Sequence, residues 1–405
     1  MTRPWWEPRA ALRRFVADLL ADELARHRRA ALPHAQLWGD ALRLDADLGV
    51  DSLELMTVAT ALAEALHLHA SGIEDYLLAR RTLGEWVDIA HTGLERFSDV
   101  LTFRTSGSTG TPKPCLHPLD ALRQETRHLA TLFPGRRRIL AAVPAHHIYG
   151  FLFTMLLPRE LGMPEEAVQD MRGSTPAWLA RGALPGDLVV GHPEFWRAVA
   201  RTVPALPPDV LGVTSTAPCP DEVAQHLQRA GLCRLVQVYG ASETAGIGAR
   251  QSHEHAYELF PHWRFDEANP HWLLRTLPDG GEQAAVLPDA LIPAGGRRFR
   301  VGARHDEAVQ VGGINVFPAR VREVLRRHPA VQDAAVRLMR PEEGTRLKAF
   351  IVARGSQRRE QDLVAELQQW VERELTTPER PKAIRFGAAL PLTPSGKLAD
   401  WNLLD

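Results

Sequence analysis

Thr105-Ser106-Gly107-Ser108-Thr109-Gly110-Thr111-Pro112-Lys113 crowds hydroxyl and glycine residues into one short stretch and closes it with a proline and a lysine. Glycine tolerates positive φ and lets another group approach the backbone closely. Such a loop can therefore turn N–H groups and hydroxyls toward phosphate oxygens. The apolar run Val100 to Phe103 in front of it reads as a strand. No Gly-Lys-Ser/Thr closes the loop, so it is not a Walker loop. The bland alternative is an ordinary Ser/Gly turn, but a linker of that kind rarely ends in Thr-Pro-Lys.

Composition bounds the rest. The chain has 405 residues, enough for two or three domains, and 45% of them are hydrophobic, enough for large cores. No apolar run reaches membrane-span length, and Met1 to Glu7 carries no signal-peptide core. Cys115, Cys219 and Cys233 have neither metal-site nor disulfide spacing, which fits a reducing cytoplasm. A net charge of −1 gives no support to bulk nucleic-acid binding. All but four of the 48 basic residues are arginine, and the lysines are Lys113, Lys348, Lys382 and Lys397. Two of them, Lys113 and Lys397, fall inside candidate motifs, which points to a need for a compact ammonium at those two positions.

Residues 105–113 resemble the phosphate loop of the adenylate-forming ligases, which join a carboxylate to AMP and pass the acyl group to a thiol. In family order, Val143-Pro144-Ala145-His146-His147-Ile148-Tyr149-Gly150 resembles the Pro-x-x-His-x-x-Gly segment. The resemblance makes His147 a wall of the acyl pocket. Read as an extended strand, the segment points His146 and His147 to opposite faces, so the two are not expected to share an ion. Val213-Thr214-Ser215-Thr216-Ala217-Pro218 is similar to the loop beside adenine. Tyr239-Gly240-Ala241-Ser242-Glu243-Thr244 matches the family's Tyr-Gly-x-Thr/Ser-Glu signature.

The resemblance implies that Tyr239 stacks near adenine, that Ser242 bonds a phosphate or the acyl carboxylate, and that Glu243 holds Mg²⁺, a hard cation suited to oxygen ligands. Alternatively, Glu243 only occupies the first turn of a helix beginning near Ser242. Gly302-Ala303-Arg304-His305-Asp306 is similar to the Gly-Arg-x-Asp segment. It puts Arg304 on the ribose, Asp306 at the hinge between two lobes, and Asp289 on the ribose hydroxyls. Asp289 could equally be a turn residue after Pro288. Pro391 to Lys397 matches the Pro-x-Thr-x-x-Gly-Lys signature, which makes Lys397 the bridge between carboxylate and α-phosphate. The loop residues Thr105, Ser106, Gly107, Ser108, Thr109, Gly110 and Lys113, with Ser215, Thr216, Ala217, Tyr239 and Gly240, complete the ATP site. His147, Tyr149, Thr214 and Ala241 complete the acid pocket.

Residues 1–93 read as a separate helical unit, with apolar residues at helical spacing over Ala11 to Leu24 and Ser52 to Leu66. Asp40 to Asp75 carries eight acids and one arginine. Leu48-Gly49-Val50-Asp51-Ser52-Leu53 resembles the site at which acyl carrier proteins receive 4′-phosphopantetheine, here on Ser52. A simpler reading makes Asp51 and Glu54 a helix capping pair and Ser52 an idle first-turn residue. Residues 88–99 read as the connection onward.

The expected architecture is multidomain. An all-α four-helix carrier-like bundle (1–93) precedes an α/β adenylate-forming core with a truncated large lobe (97–303). A small mobile α/β lid (304–405) completes it. The helix Ala319 to Arg327, strands Val331 to Leu338 and Leu347 to Val352, and helix Gln361 to Leu375 build that lid. Most relatives carry a long segment before the loop that is missing here. That leaves an open edge to be covered by the carrier-like unit or by a second subunit, as in a homodimer. The implied chemistry is ATP- and Mg²⁺-dependent activation of a small carboxylic acid, an aryl acid such as a hydroxybenzoate. Its acyl group then passes to a phosphopantetheine thiol, on Ser52 after a phosphopantetheinyl transferase has acted, or on a separate carrier protein. Free CoA as acceptor and a non-catalytic carrier-binding scaffold are the alternatives.

Overall fold

The computed structural model describes residues 3–28, 30, 32, 35–105, 113–251, 254–269, 272–304, 308–355, 360–392 and 398–403. They divide into two compact units, one holding Met1–Thr105 and Pro114–Ala303, the other holding Ser106–Lys113 and Arg304–Asp405.

The first unit opens with four helices: α1 (Arg9–Arg28), α2 (Ser52–Leu66), α3 (Tyr76–Ala79) and α4 (Leu83–Arg96). α1 buries Leu12, Phe15, Val16, Leu19, Leu20 and Leu24, one stripe at helical spacing. α2 starts at Ser52 because Asp51 accepts a bond from the Glu54 N–H while the Glu54 carboxylate accepts from the Asp51 N–H. Thr82 and Glu85 start α4 in the same way. Because α4 runs to Arg96, the segment expected to link two domains over 88–99 is mostly helix, and only residues 97–99 separate it from the next strand.

The helices share their core with the α/β part of the same unit. The Trp5 ring meets Phe151 at 4.9 Å, and Phe151 in turn meets Phe15 at 5.9 Å and Phe103 at 5.4 Å. Asp18 on α1 is 3% exposed. It accepts from the Ala145 N–H at 2.7 Å and from Arg172 at 2.6 Å. Arg104 donates to Glu23 on α1 at 3.0 Å and to Glu64 on α2. The compact unit therefore runs through the boundary expected near residue 93.

Around this core, β1 (Val100–Thr105) and β2 (Lys113–Pro118) make a two-stranded sheet. β3 (Arg138–Ala141), β4 (Val168–Asp170), β5 (Asp187–Gly191), β6 (Leu211–Thr214), β7 (Arg234–Ala241), β8 (Ala245–Gln251) and β9 (Tyr257–Leu259) belong to a nine-stranded sheet. β10 (Trp263–Phe265), β11 (Trp272–Thr276) and β12 (Glu282–Val286) form a separate antiparallel sheet. β13 (Asp289–Pro293) and β14 (Arg298–Arg304) complete the large sheet, whose order is β13-β14-β9-β8-β7-β6-β5-β3-β4. β4, β3, β5, β6 and β7 run parallel, whereas β8 turns back on β7. β5 and β6 are buried at every position, as strands covered on both faces require.

In the second unit, β15 (Val309–Val311) and β16 (Ile314–Val316) pair through Gly312 and Gly313 at φ of 60° and 83°. A two-residue hairpin of this hand needs positive φ at both positions, which explains the paired glycines. The helices Pro318–Arg326 and Glu360–Glu374 pack with β17 (Val331–Leu338), β18 (Leu347–Ala353) and β19 (Ala383–Phe386). These elements match the expected lid to within a residue or two at each end. No described helix is long and apolar enough to cross a membrane.

If the N-terminal helices belong to the ligase core, removing their buried ionic link should act on the whole unit. Asp18→Ala leaves the Ala145 N–H without its partner and Arg172 with Asp170 alone, and should lower stability in urea unfolding by about 1–3 kcal/mol. A chain started at residue 97 should fail to give a folded protein. A soluble, cooperatively melting product would show that the helices are dispensable.

Candidate functional site

In open α/β sheets ligands collect beyond the carboxyl ends of the parallel strands. Four segments meet at that end here: the turn after β3, Gly191 at the end of β5, the loop after β6, and the β7–β8 turn. Side chains tie them together. The buried Tyr149 hydroxyl donates to Gly191 O at 3.0 Å and to Val213 O at 3.1 Å. The Ser215 hydroxyl donates to Val238 O at 2.8 Å. Of the predicted acid-pocket residues, Tyr149 thus spends its hydroxyl on main chain. Thr214 is fully buried, Ala241 half-buried and His147 exposed.

The β7–β8 turn is a β-hairpin and not the start of a helix, so the alternative reading of Glu243 falls away. Ala241 and Thr244 close the turn, with the Thr244 N–H donating to Ala241 O and the Ala241 N–H to the Thr244 hydroxyl, both at 3.2 Å. A Cβ on Gly240 would stand 2.1 Å from Ala245 O, so only glycine fits beside Tyr239. A Cβ on Gly150 would stand 1.8 Å from Pro144 O, which accounts for the glycine that ends Pro-x-x-His-x-x-Gly. Thr216 and Ala245 hold φ of 78° and 59°. Left-handed backbone at non-glycine residues costs about 1–3 kcal/mol each and gathers at ligand sites. Thr216 lies in the loop read as passing beside adenine, and Ala245 directly follows the Tyr239–Thr244 signature.

Tyr239 reaches across to another predicted residue. Its hydroxyl donates to Asp289 at 2.8 Å, while its ring packs against Tyr257 and Phe299 at 5.8 and 5.6 Å. Asp289 is the first residue of β13 rather than a turn residue. Ser242 is half-buried and Glu243 exposed at the turn's tip. One exposed carboxylate fits Mg²⁺, a cation that keeps most of its waters and usually takes one or two protein carboxylates alongside phosphate oxygens.

Thr105 ends β1, Lys113 begins β2, Arg304 ends β14, and Ser52 is the exposed first residue of α2. Ser106, Gly107, Ser108, Thr109, Gly110, Asp306 and Lys397 lie outside the described residues.

Two supporting residues escaped the sequence reading. His117 on β2 donates through Nε2 to Ser242 O at 2.7 Å; the carbonyl can only accept, so Nε2 carries the proton. Burial pulls the His117 imidazole down to about 4, against the opposing pull of that carbonyl, so the ring stays neutral. Glu125, on the helix Leu119–Leu132, is completely buried and accepts from the Gly246 N–H at 2.9 Å. Burial pushes its carboxyl up to about 8, against the Arg275 charge and the Gly246 N–H. These two residues brace the turn from behind at separations of 125 and 121 residues, beyond the reach of any local pattern.

The sequence of this chain matches the models of two domains. One is described as AMP-binding enzyme, over residues 100–263, and the other as AMP-binding enzyme C-terminal domain, over residues 321–397. The chain is 39% identical to a 4-coumarate–CoA ligase of Rhodobacter capsulatus, with 96% of this chain and 100% of the relative covered. It is 38% identical to a 4-coumarate–CoA ligase of Halorhodospira halophila, with 95% and 97% covered. Among solved structures, it is similar in fold to the amide bond synthetase McbA of Marinactinospora thermotolerans. That likeness has a TM-score of 0.61 at 18% identity, with 96% of this chain and 93% of the other covered.

The raised Glu125 carboxyl has a pH signature. Its ordinary value is 4.5 and its native value about 8, so the folded state holds the extra proton between these limits. Stability should therefore fall as pH rises from about 5 to about 8. Glu125→Gln keeps an acceptor for Gly246 and should flatten that fall, as read by urea melts across the range. Equal slopes in the two proteins would mean that the carboxyl is ionised in the fold. Tyr239→Phe removes a hydroxyl bonded to a carboxylate, worth about 1.5–3 kcal/mol, and should raise KM for ATP by roughly 10-fold or more.

Proposed function

We propose that this chain, which belongs to the AMP-binding enzyme family, is a CoA ligase for a hydroxylated aryl acid. As an AMP-forming acid–thiol ligase it activates a carboxylic acid as its acyl-AMP. The carboxylate oxygen bonds to the α-phosphorus of ATP as pyrophosphate leaves. A thiol sulfur then bonds to the acyl carbon as AMP leaves and the thiol proton passes to solvent.

The observation that carries the reading is the Tyr239–Asp289 hydrogen bond, which joins two nucleotide-reading segments 50 residues apart at the strand ends. Tyr239 offers a face for adenine, and Asp289 retains acceptor capacity for ribose hydroxyls. The strained Thr216 and Ala245 turns hold the loops in place before the nucleotide arrives. Mg²⁺ beside Glu243 would offset the charge of the triphosphate. Lys397, the Lys113 loop and Arg304 are assigned to ATP, and Asp306 to the hinge, on the strength of their motifs alone. The aryl acid and CoA are proposed because the two relatives at 38–39% identity, nearly equal to this chain in extent, are both named 4-coumarate–CoA ligases.

One observation favours a second acceptor. Leu53 and Met56, flanking Ser52 on α2, are 63% and 57% exposed, an apolar face that a phosphopantetheinyl transferase could use. In that reading the acyl group ends on Ser52's own arm.

Acid-dependent pyrophosphate exchange across hydroxycinnamates, hydroxybenzoates and fatty acids tests the activity. Exchange should be strongest with a hydroxylated aryl acid, and exchange with fatty acids alone would overturn the substrate class. Lys397→Ala should cut exchange by about 10²–10³, the effect of losing one preorganised charge-stabilising group. With CoA supplied, acyl-CoA should form at the same rate in Ser52→Ala. Mass spectrometry after incubation with CoA and a transferase should find Ser52 unmodified; a pantetheine adduct there would move the acceptor to the chain itself.

A further inference from the structure

We propose that Asp22, His146 and His147 form a binding site for a divalent transition-metal ion of the zinc class, separate from the Mg²⁺ assigned to Glu243. The expectation that the two histidines diverge rests on an extended strand, and the structure corrects it. His146 sits in a turn and His147 is the N-terminal cap of the short helix Ile148–Phe151, so the chain bends between them. Their rings lie side by side with centroids 4.1 Å apart. Asp22 reaches the pair from α1, its carboxylate 3.6 Å from His146 Nε2. One ligand atom from each of the three residues lies within 4.8 Å of the others, so a modest convergence would bring all three to one ion.

The second observation is polar atoms left unmatched. The His146 side chain is only 10% exposed; its Nδ1 has no partner, and its Nε2 has only the 3.6 Å contact to Asp22, too long for a hydrogen bond. Buried imidazoles normally satisfy both nitrogens, and an orphaned pair calls for a specific explanation. A metal bond would satisfy one of them. His147 is exposed and supplies the entry path from solvent.

The donor set selects the ion. Two imidazoles and one carboxylate suit zinc, cobalt, nickel and copper, whereas Mg²⁺ prefers oxygen alone. Three protein ligands would leave a fourth, tetrahedral position open to water. Arg26 also pairs with Asp22. A carboxylate has two oxygens and can serve both partners. The anchor for the site already exists: Asp18, one helical turn before Asp22, holds the Ala145 N–H at 2.7 Å and so fixes the histidine turn against α1.

The test uses the full, tag-free chain stripped with chelator and titrated with Co²⁺ and Zn²⁺ under excess Mg²⁺. One ion should bind per chain, with visible cobalt d–d bands that zinc abolishes. His146→Ala and Asp22→Asn should each weaken binding by more than about 10-fold, the lower end of what loss of a metal-supporting partner costs. Both should melt cooperatively. No saturable uptake over Mg²⁺, or unchanged affinity in both variants, overturns the site. Should the variants unfold, diethyl pyrocarbonate labelling of the parent chain decides. Zinc-dependent protection of His146 and His147 supports the site, and equal labelling with and without zinc overturns it.

Discussion

The contact on which the first unit depends is the buried carboxylate of Asp18. From the middle of α1 it takes the Ala145 N–H and the Arg172 guanidinium at once, on the helix whose Phe15 packs with Trp5 and Phe151. A carboxylate this enclosed is tolerated only where its oxygens are matched by donors. α1 must therefore sit where Ala145 and Arg172 point. The matched pair gives register, and the aromatic packing around it gives most of the attraction. The turn fixed in this way carries His147. So a helix far from the nucleotide loop in sequence sets the position of a predicted pocket residue, and the same helix covers that face of the α/β core.

Elsewhere the site depends on backbone conformations that cost energy. Gly240 and Gly150 stand where a Cβ would collide with a carbonyl, and Thr216 and Ala245 hold left-handed backbone without being glycine. Such turns persist only when the surroundings over-determine them. His117 and Glu125 supply that determination for the β7–β8 turn, one holding Ser242 O and the other the Gly246 N–H. Both work in the neutral form, because burial removes charge from each in opposite directions, down for the imidazole and up for the carboxyl. A neutral brace behind the turn adds no fixed charge to compete with a triphosphate in front of it.

Much of this was legible in the chain because its signals are local. The glycines of Tyr239-Gly240, of Gly150 and of Gly312-Gly313 answer to steric needs within a few residues, apolar periodicity places α2, and the expected lid elements fall within a residue or two of those observed. What was not legible depended on long-range burial. The stripe Leu12 to Leu24 reads the same whether it closes a free-standing bundle or docks on a sheet. α1 buries two charged residues there, Asp18 and Glu23, and their partners Arg172 and Arg104 lie far along the chain, beyond any local pattern. The turn at His146 was likewise misread as a strand, because what bends it is the entry into a short helix, which the apolar run Val143 to Phe151 conceals.

The sparse lysines extend the same logic to the second unit. Lys348 is completely buried, and its ammonium meets Glu343 at 2.7 Å, Asp400 at 2.9 Å and Trp401 O at 2.7 Å. Three acceptors around one nitrogen suit the three donors of an ammonium, and a planar guanidinium could not turn toward all of them. This explains why a chain that otherwise writes positive charge as arginine departs from the habit here. The consequence is positional. Asp400 and Trp401 lie three and four residues beyond Lys397, while Arg337 holds Leu398 O at 2.6 Å and Leu392 bridges to Leu398. Leu398, Asp400 and Trp401 are thus tied to β17 and β18 through Arg337 and Lys348, so Lys348 has a structural part: it holds the chain that follows the signature stretch.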